Sequence, residues 1–368
     1  MPKRCYILGA GFSNPIGLPL AHELTQAVID RISSNAGDDP ADPRNWALAR
    51  WISFLRELYP CYDFESTWPD FEDLITILDE WEDYRHNVQG TPTPPGSQPP
   101  AHIRRVLLRH LVLLFCEKTP ANGDEKLVPV SQFVQRCAGE SSPVISFNWD
   151  VLLEAAAKDE NAGYSCREED DKNGALLMVK PHGSINIADT ANDPNKDPHS
   201  QCKQLLEYDE YDNKIGKRYV ICANDPRKAE KEIVAPFGVW KNRSHKGGGQ
   251  VDQEPGSQTV QDSGGVILVA PTAKKSYEHP WLIKQWARAL DFILSAEEIV
   301  VIGFSLPPTD YRPRVLLQLA GFDGKTKARR LILVSPHACE VAKHYRKFVS
   351  IPIKCYTSDW REWLADEG

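Results

Sequence analysis

Several things are scarce in this sequence, and each scarcity excludes something. There are nine cysteines, an odd number, and no two stand at C-x-x-C spacing. Scattered thiols of this kind do not make a disulfide scaffold and fit a reducing compartment. No secretory leader is legible, since Met1-Pro2-Lys3-Arg4 runs straight into a strand pattern, and a cytoplasmic location is expected. Long apolar runs are missing as well. Val106 to Cys116 is interrupted by Arg109 and His110 and falls short of a membrane span, so no membrane partner is expected. Basic surplus is absent too: 43 Lys and Arg face 51 Asp and Glu, a net charge of -8. That balance excludes a broad face for DNA or RNA but leaves room for a local pocket holding one dinucleotide.

What remains is an ordinary globular composition, 41% hydrophobic and 26% charged over 368 residues, enough for one large domain or two of ordinary size. Residues 4 to 8 (Arg-Cys-Tyr-Ile-Leu) read as a strand ending at Gly9. Leu20, Leu24, Val28 and Ile32 follow at every fourth position, one face of a helix. A Gly-rich turn thus joins a first strand to a first helix, whose N-terminus can hold an anion. Residues 43 to 87 read as helical, through Trp46, Trp51, Phe54, Leu55 and Leu58, then Leu74, Ile75, Leu78 and Trp81. Gly90 to Pro100 reads as an exposed linker, Ile103 to Phe115 as a helix, and Pro143 to Asn148 as a buried strand with a polar tip.

From Asn186 to Gly265 polar residues dominate. One hairpin is expected there, Tyr208 to Tyr211 against Arg218 to Cys222, and Asn242 to Gly265 reads as mobile. Val266 to Ala270 reads as a strand, and Leu282, Trp286, Ala289, Leu290 and Ile293 as a helix. The rest alternates: strand Ile299 to Ile302, helix Arg314 to Leu319, strand Leu331 to Val334, helix Ala338 to Phe348, and a last strand in Ile351 to Tyr356. Short apolar strands alternating with helices predict an α/β fold, a Rossmann-like parallel sheet covered on both faces.

Ligands of such sheets bind beyond the carboxyl ends of the strands, so the residues just past each strand matter most. Gly9-Ala10-Gly11-Phe12-Ser13 follows the first strand. Glycines there let a backbone approach a pyrophosphate, although the spacing is not G-x-G-x-x-G and a plain tight turn explains it too. Ser146-Phe147-Asn148-Trp149-Asp150 follows another. Its amide and carboxylate, two residues apart, can orient a ribose hydroxyl, a water or a carboxamide, while Asp150 would also suit the cap of a helix over Val151 to Ala157. Lys180-Pro181-His182-Gly183-Ser184 offers an imidazole, a group that ordinarily titrates near neutrality and suits a general base. Gly303-Phe304-Ser305 closes a fourth strand in the style of the first, and Ser335-Pro336 closes a fifth, where a simple turn explains it equally well.

Taken in order, Gly9-Ala-Gly-Phe-Ser13, Asn148-x-Asp150, His182-Gly183 and Gly303-Phe-Ser-Leu306 resemble the sirtuin superfamily. Phe71-Glu-Asp-Leu-Ile75, Ala270-Pro-Thr272 and Gly303 to Asp310 resemble its bacterial antiviral NADase branch. The resemblance implies a sirtuin-type NAD-binding catalytic domain over 1–368, with a helical insertion at 40–118 and a variable polar insertion at 186–265. It departs from deacylases in two places. Only Cys202 and Cys222 lie where a four-cysteine zinc module would fall, so no metal is expected, and Asn14-Pro-Ile-Gly-Leu-Pro19 replaces the deacylases' Pro-Asp-Phe-Arg stretch.

By motif, Asn148 and His182 would be catalytic, Asn148 placing the ribose or water and His182 acting as base. Gly9, Ala10, Gly11 and Ser13 would hold the pyrophosphate, and Asp150 the nicotinamide carboxamide. Gly303 and Ser305, with Ser335 beside them, would bind the adenosine side. The implied activity is hydrolysis of NAD, as substrate, to nicotinamide and ADP-ribose, depleting NAD in antiviral defence. The alternatives are a silent NAD-sensing or scaffold subunit, an ADP-ribosyltransferase or a deacylase. The implied partners are further copies of the chain, or a second defence protein of the ATPase or Argonaute-like kind.

Overall fold

The computed structural model describes residues 4–34, 68–87, 100–160, 162–165, 174–190, 202–209, 217–229, 265–269, 279–308, 310–322 and 327–367, with positions 53, 55, 56, 59 and 63. Its strands are β1 (Arg4–Leu8), β2 (Val144–Ser146), β3 (Tyr164–Ser165), β4 (Leu176–Val179), β5 (Gly183–Thr190), β6 (Cys202–Asp209), β7 (Lys217–Ala223), β8 (Gly265–Leu268), β9 (Glu298–Ile302), β10 (Arg330–Val334) and β11 (Ile353–Tyr356). The helices are α1 (Ala10–Ser13), α2 (Leu24–Ser34), α3 (Phe71–Asn87), α4 (Pro100–Lys118), α5 (Val128–Gly139), α6 (Leu152–Asp159), α7 (Pro280–Ser295), α8 (Tyr311–Phe322), α9 (Ala338–Tyr345) and α10 (Trp360–Asp366).

Seven strands form one sheet in the order β11-β10-β9-β1-β2-β4-β3, every neighbouring pair parallel. Side chains along β1 point alternately to opposite faces, as a period of two requires. Tyr6 and Leu8 join a core with α2 to α6 and α10, while Cys5 and Ile7 join another with α7, α8 and α9. A sheet buried on both faces needs such unbroken apolar strands, and β1 and β9 are buried along their whole length. This is the Rossmann-like arrangement that the alternation predicts.

The chain runs from β1 to β2, out to β3 at the edge and back to β4 between them, and after the second sheet it reaches β9 on the other side of β1. The order therefore reverses between β1 and β9. Loops leaving a sheet at such a point diverge and open a crevice. α7 shows how the flank is built: Trp281, Leu282, Gln285, Trp286, Ala289 and Ile293 are buried on one face. Pro280 stands at its first turn, and the His279 side chain accepts the Trp281 N–H at 3.2 Å.

A second sheet, β6-β7-β5-β8, is antiparallel. β5 lies within and before the stretch read as polar, yet it is almost wholly buried. Its Ile187, with Val220, Cys222, Ile267 and Val269, belongs to the α7 side of the core. The expected hairpin is longer than read, β6 against β7, and its turn at 212–216 lies outside the described residues, as does 242–264. The 90–99 stretch also lies outside them, and Pro100 opens α4 rather than ending a linker. Pro tolerates this position because the first N–H of a helix is unpaired anyway.

The first helix differs from its expectation. Only α1, four residues long, follows Gly9, and Leu20 precedes α2, its N–H donating to Glu23 Oε2 at 2.8 Å. Asn14-Pro-Ile forms a 3₁₀ turn that ends at Gly17 in the left-handed region. The final helix, α10, was not expected. Its Asp359 caps the Arg361 N–H at 2.8 Å, and Trp360 stacks on Phe12 with centroids 4.4 Å apart. Among the described residues, no helix is long and apolar enough to cross a membrane.

Candidate functional site

A cleft of about 630 Å³ opens over the β1/β9 reversal, within the usual range for a small-molecule site. Gly9, Ala10, Gly11, Ser13, Asn148, Asp150, His182, Gly303, Ser305 and Ser335 all line it. Five strand ends thus meet in one place.

The glycines explain how the two central loops come together. Gly9 N–H donates to Ile302 O at 3.0 Å, and Gly11 N–H to Gly303 O at 3.0 Å. A Cβ on Gly9 would sit 2.6 Å from Phe304 Cα, and one on Gly303 would sit 2.3 Å from the Gly11 carbonyl carbon. Gly303 also has φ +62, where a side chain is strained. These glycines let the β1 and β9 loops touch. The Gly9 and Gly11 amides are bonded across this contact, to Ile302 and Gly303. The glycines form a floor without side chains.

Across the floor lies a polar chain. Asn148 Nδ2 donates to Gly9 O at 2.9 Å and to Ser13 Oγ at 3.0 Å, and Ser13 Oγ donates to Asp150 Oδ2 at 2.6 Å. The amide hydrogens of Asn148 are spent in this way, so what it turns to a ligand is its carbonyl oxygen, an acceptor. Ser13 has likewise committed its only hydrogen and can meet a ligand solely as an acceptor. Asp150 does two jobs, since its Oδ1 accepts the Leu152 N–H at 3.1 Å near the start of α6. One carboxylate thus ends the polar chain and also holds the backbone ahead of α6, whose N-cap is Val151.

His182 sits in a tight turn between β4 and β5, closed by Gly183 N–H to Lys180 O at 2.9 Å. Gly183 has φ +81, and a Cβ there would fall 1.9 Å from Ile267 O on β8. The His-Gly pair is thus a close backbone crossing as well as a site. The imidazole is 4% exposed and lies against Phe147 and Trp286, centroids 4.8 and 6.0 Å away. Its Nε2 is 3.4 Å from Asp310 Oδ1. Ser305 is exposed at the rim. Ser335 Oγ accepts the His337 N–H at 3.2 Å, the turn that its sequence allows.

Two groups escaped the sequence reading. Asp310, 1% exposed, lines the cleft beside His182; the motif ends on it, but nothing in spacing alone pairs it with an imidazole 128 positions earlier. Burial first, and the Asp310 charge second, push the Tyr345 phenol well above its ordinary range. The other group is Lys180 with Glu154, a buried pair at 2.9 Å. Lys180 Nζ also donates to Ser184 Oγ at 2.8 Å and to Asp150 O. It ties the Asp150 tip to the His182 turn. Burial pushes the Glu154 carboxyl up, against the pull of Lys180. Among the described residues, no group of three His, Cys, Asp or Glu side chains could hold a metal.

No family model matches the sequence, and no curated protein matches it. Solved structures do. A structure titled for the mechanism and regulation of Sir2 enzymes is similar at 12% identity and TM-score 0.41, over 99% of this chain and 91% of that one. A Sir2 structure with a p53 peptide and NAD+ is similar at 12% identity and TM-score 0.38, over 99% and 90%. A Sir2 bound to acetylated peptide gives the same values.

Proposed function

We propose that the cleft binds NAD and hydrolyses the bond between nicotinamide and ribose, giving nicotinamide and ADP-ribose. The observation that supports this reading is the meeting of Asn148, Asp150 and His182 above a glycine floor at the sheet's reversal point. Bound NAD supplies a cationic ring that leaves as neutral nicotinamide, so no acid is required behind it, and the barrier is an oxocarbenium-like ribosyl centre as in glycoside cleavage.

The chain's own groups supply the rest. Asn148 Oδ1 accepts from a ribose hydroxyl or from water and holds it in place. His182 takes the proton that water gives up as its oxygen bonds to the ribosyl carbon and the electron pair of the broken bond goes to the ring nitrogen. Base catalysis of this kind contributes on the order of 10²- to 10⁴-fold. Asp150 retains lone pairs on both oxygens for the carboxamide. The Ser305 and Ser335 side faces the adenosine half, with Gly303 below it. The polar chain through Ser13 is preorganised, so no protein dipole must turn during the reaction.

Purified protein incubated with NAD, with nicotinamide and ADP-ribose resolved by chromatography, tests the reading. Equal release of both, lost in His182→Ala and Asn148→Ala, is the expected result. NAD binding without products in the presence of candidate partners would favour a silent binding subunit, and label from NAD on protein would favour transfer. The motif resemblance extends the proposal to NAD depletion in antiviral defence, gated by self-assembly or by a second defence protein.

A further inference from the structure

We infer that Cys339 and Cys355 are a modification site, a dithiol that a peroxide closes to a disulfide pinning α9 to β11. The two are 16 positions apart, and no spacing rule joins them. The fold does. Cys339 stands in the first turn of α9, and Cys355 on β11 pairs in register with Leu333 of β10, the strand that leads into that helix. Cys355 Sγ donates to Ala338 O at 3.7 Å, the carbonyl joined to the Cys339 nitrogen. The Cys339 side chain also lies within hydrogen-bonding reach of the Cys355 thiol. Such proximity is the first condition for a disulfide, which cannot bridge backbones that stand far apart.

The two sulfurs differ in access. Among the described cysteines Cys339 is the exposed one, while Cys5, Cys137 and Cys222 are buried. Cys355 is partly buried against the α7 side of the core. Burial first, then Cys339, push its thiol up, against the pull of Arg346. Cys339 therefore meets the peroxide. Its sulfur attacks one peroxide oxygen, the O–O bond breaks, and water leaves, giving a sulfenic acid on Cys339. The Cys355 sulfur then attacks the Cys339 sulfur. The S–S bond forms as the S–O bond breaks, and the departing hydroxide takes the Cys355 proton to become a second water. Two electrons pass from the sulfurs to the peroxide, and a thiol reductant reverses the change.

The bond lies behind one wall of the cleft, whatever ligand the cleft holds. Ser335 to His337 lead into α9, Asp359 to Arg361 follow β11, and both segments line the cleft. Ser335 N–H already donates to Tyr356 O at 3.1 Å, and the disulfide braces the same junction covalently. The test treats the full chain with hydrogen peroxide, unfolds it in an alkylating reagent and maps the peptides by mass spectrometry. One bridge is expected, Cys339 to Cys355, cleaved by dithiothreitol and absent from Cys339→Ser and Cys355→Ser. In Cys355→Ser, Cys339 is expected to go on to sulfinic acid, with no partner to capture it. Amide exchange over Ser335 to Val341 is expected to slow in the oxidised wild type. Both thiols left open to alkylation at peroxide doses that oxidise glutathione would overturn the assignment. So would a wild-type Cys339 bridged to another cysteine or carried on to sulfinic acid. A bridge without slower exchange overturns the brace.

Discussion

Gly303 and Gly11 pass so close that neither has room for a side chain. A Cβ on Gly11 would lie 2.8 Å from Gly303 Cα, and one on Gly303 would lie 2.3 Å from the Gly11 carbonyl carbon. The floor of the cleft exists because two loops from opposite sides of the sheet's reversal are both bare at that point.

Gly303→Ala is therefore expected to be costly, from strain at positive φ and from overlap with backbone that cannot swing away. A loss of roughly 3 kcal/mol or more is expected by denaturant unfolding. Gly17→Ala is the control. Gly17 also has positive φ, 109, but nothing lies within 4 Å of its Cβ direction, so about 1 kcal/mol is expected. Equal losses would show that loop contact is not what Gly303 serves.

Ser13→Ala breaks the polar chain in its middle. It leaves Asp150 Oδ2 and one hydrogen of Asn148 without their partner. The expected cost is about 1–3 kcal/mol of stability, with a fall in nicotinamide release as the Asn148 amide loses one of its two anchors and keeps only Gly9 O. A variant with full activity would show that the Asn148 orientation is set elsewhere.

Lys180→Met strands Glu154 as a buried charge. A loss of about 3–5 kcal/mol is expected, read from urea midpoints at constant slope. Adding Glu154→Leu should restore most of it, because the pair then becomes an apolar contact. No recovery in the double variant would place the worth of Lys180 in its bonds to Asp150 and Ser184 instead.

His110 supplies a pH dependence away from the cleft. Burial, then the charges of Arg31 and Arg109, lower it from the ordinary 6.5 to about 4. Its neutral Nδ1 stands 2.9 Å from Arg31, which also pairs with Glu117. Between those two values the unfolded chain binds the proton that the folded chain refuses. The resulting stability is full above 6.5 and is lost as pH falls toward 4. The melting temperature of wild type should fall across that window, and that of His110→Phe should fall less. Parallel curves would contradict the assignment.

The parallel sheet was legible because its strands are short apolar runs separated by helices, as Ile299 to Ile302 and Leu331 to Val334 make plain. Strand ends could be read from the glycines, and their meeting in one cleft followed from topology. Three things were not legible. β5 hides in a polar stretch because its burial comes from a second sheet formed with strands far along the chain. The pairing of the Gly9 and Gly11 amides with Ile302 and Gly303 depends on strand neighbours that spacing does not reveal. Asp310 and Lys180 lie beside groups distant in sequence, the one near His182 and the other on Glu154, and single-chain patterns hold no record of such pairs.

The most direct test of the account is to run the purified chain with NAD in ¹⁸O-enriched water and to weigh the products. The account predicts ADP-ribose carrying one heavy oxygen at the ribosyl carbon and an equal amount of free nicotinamide, both absent with His182→Ala. Intact NAD, or ADP-ribose units found only on protein, would contradict it.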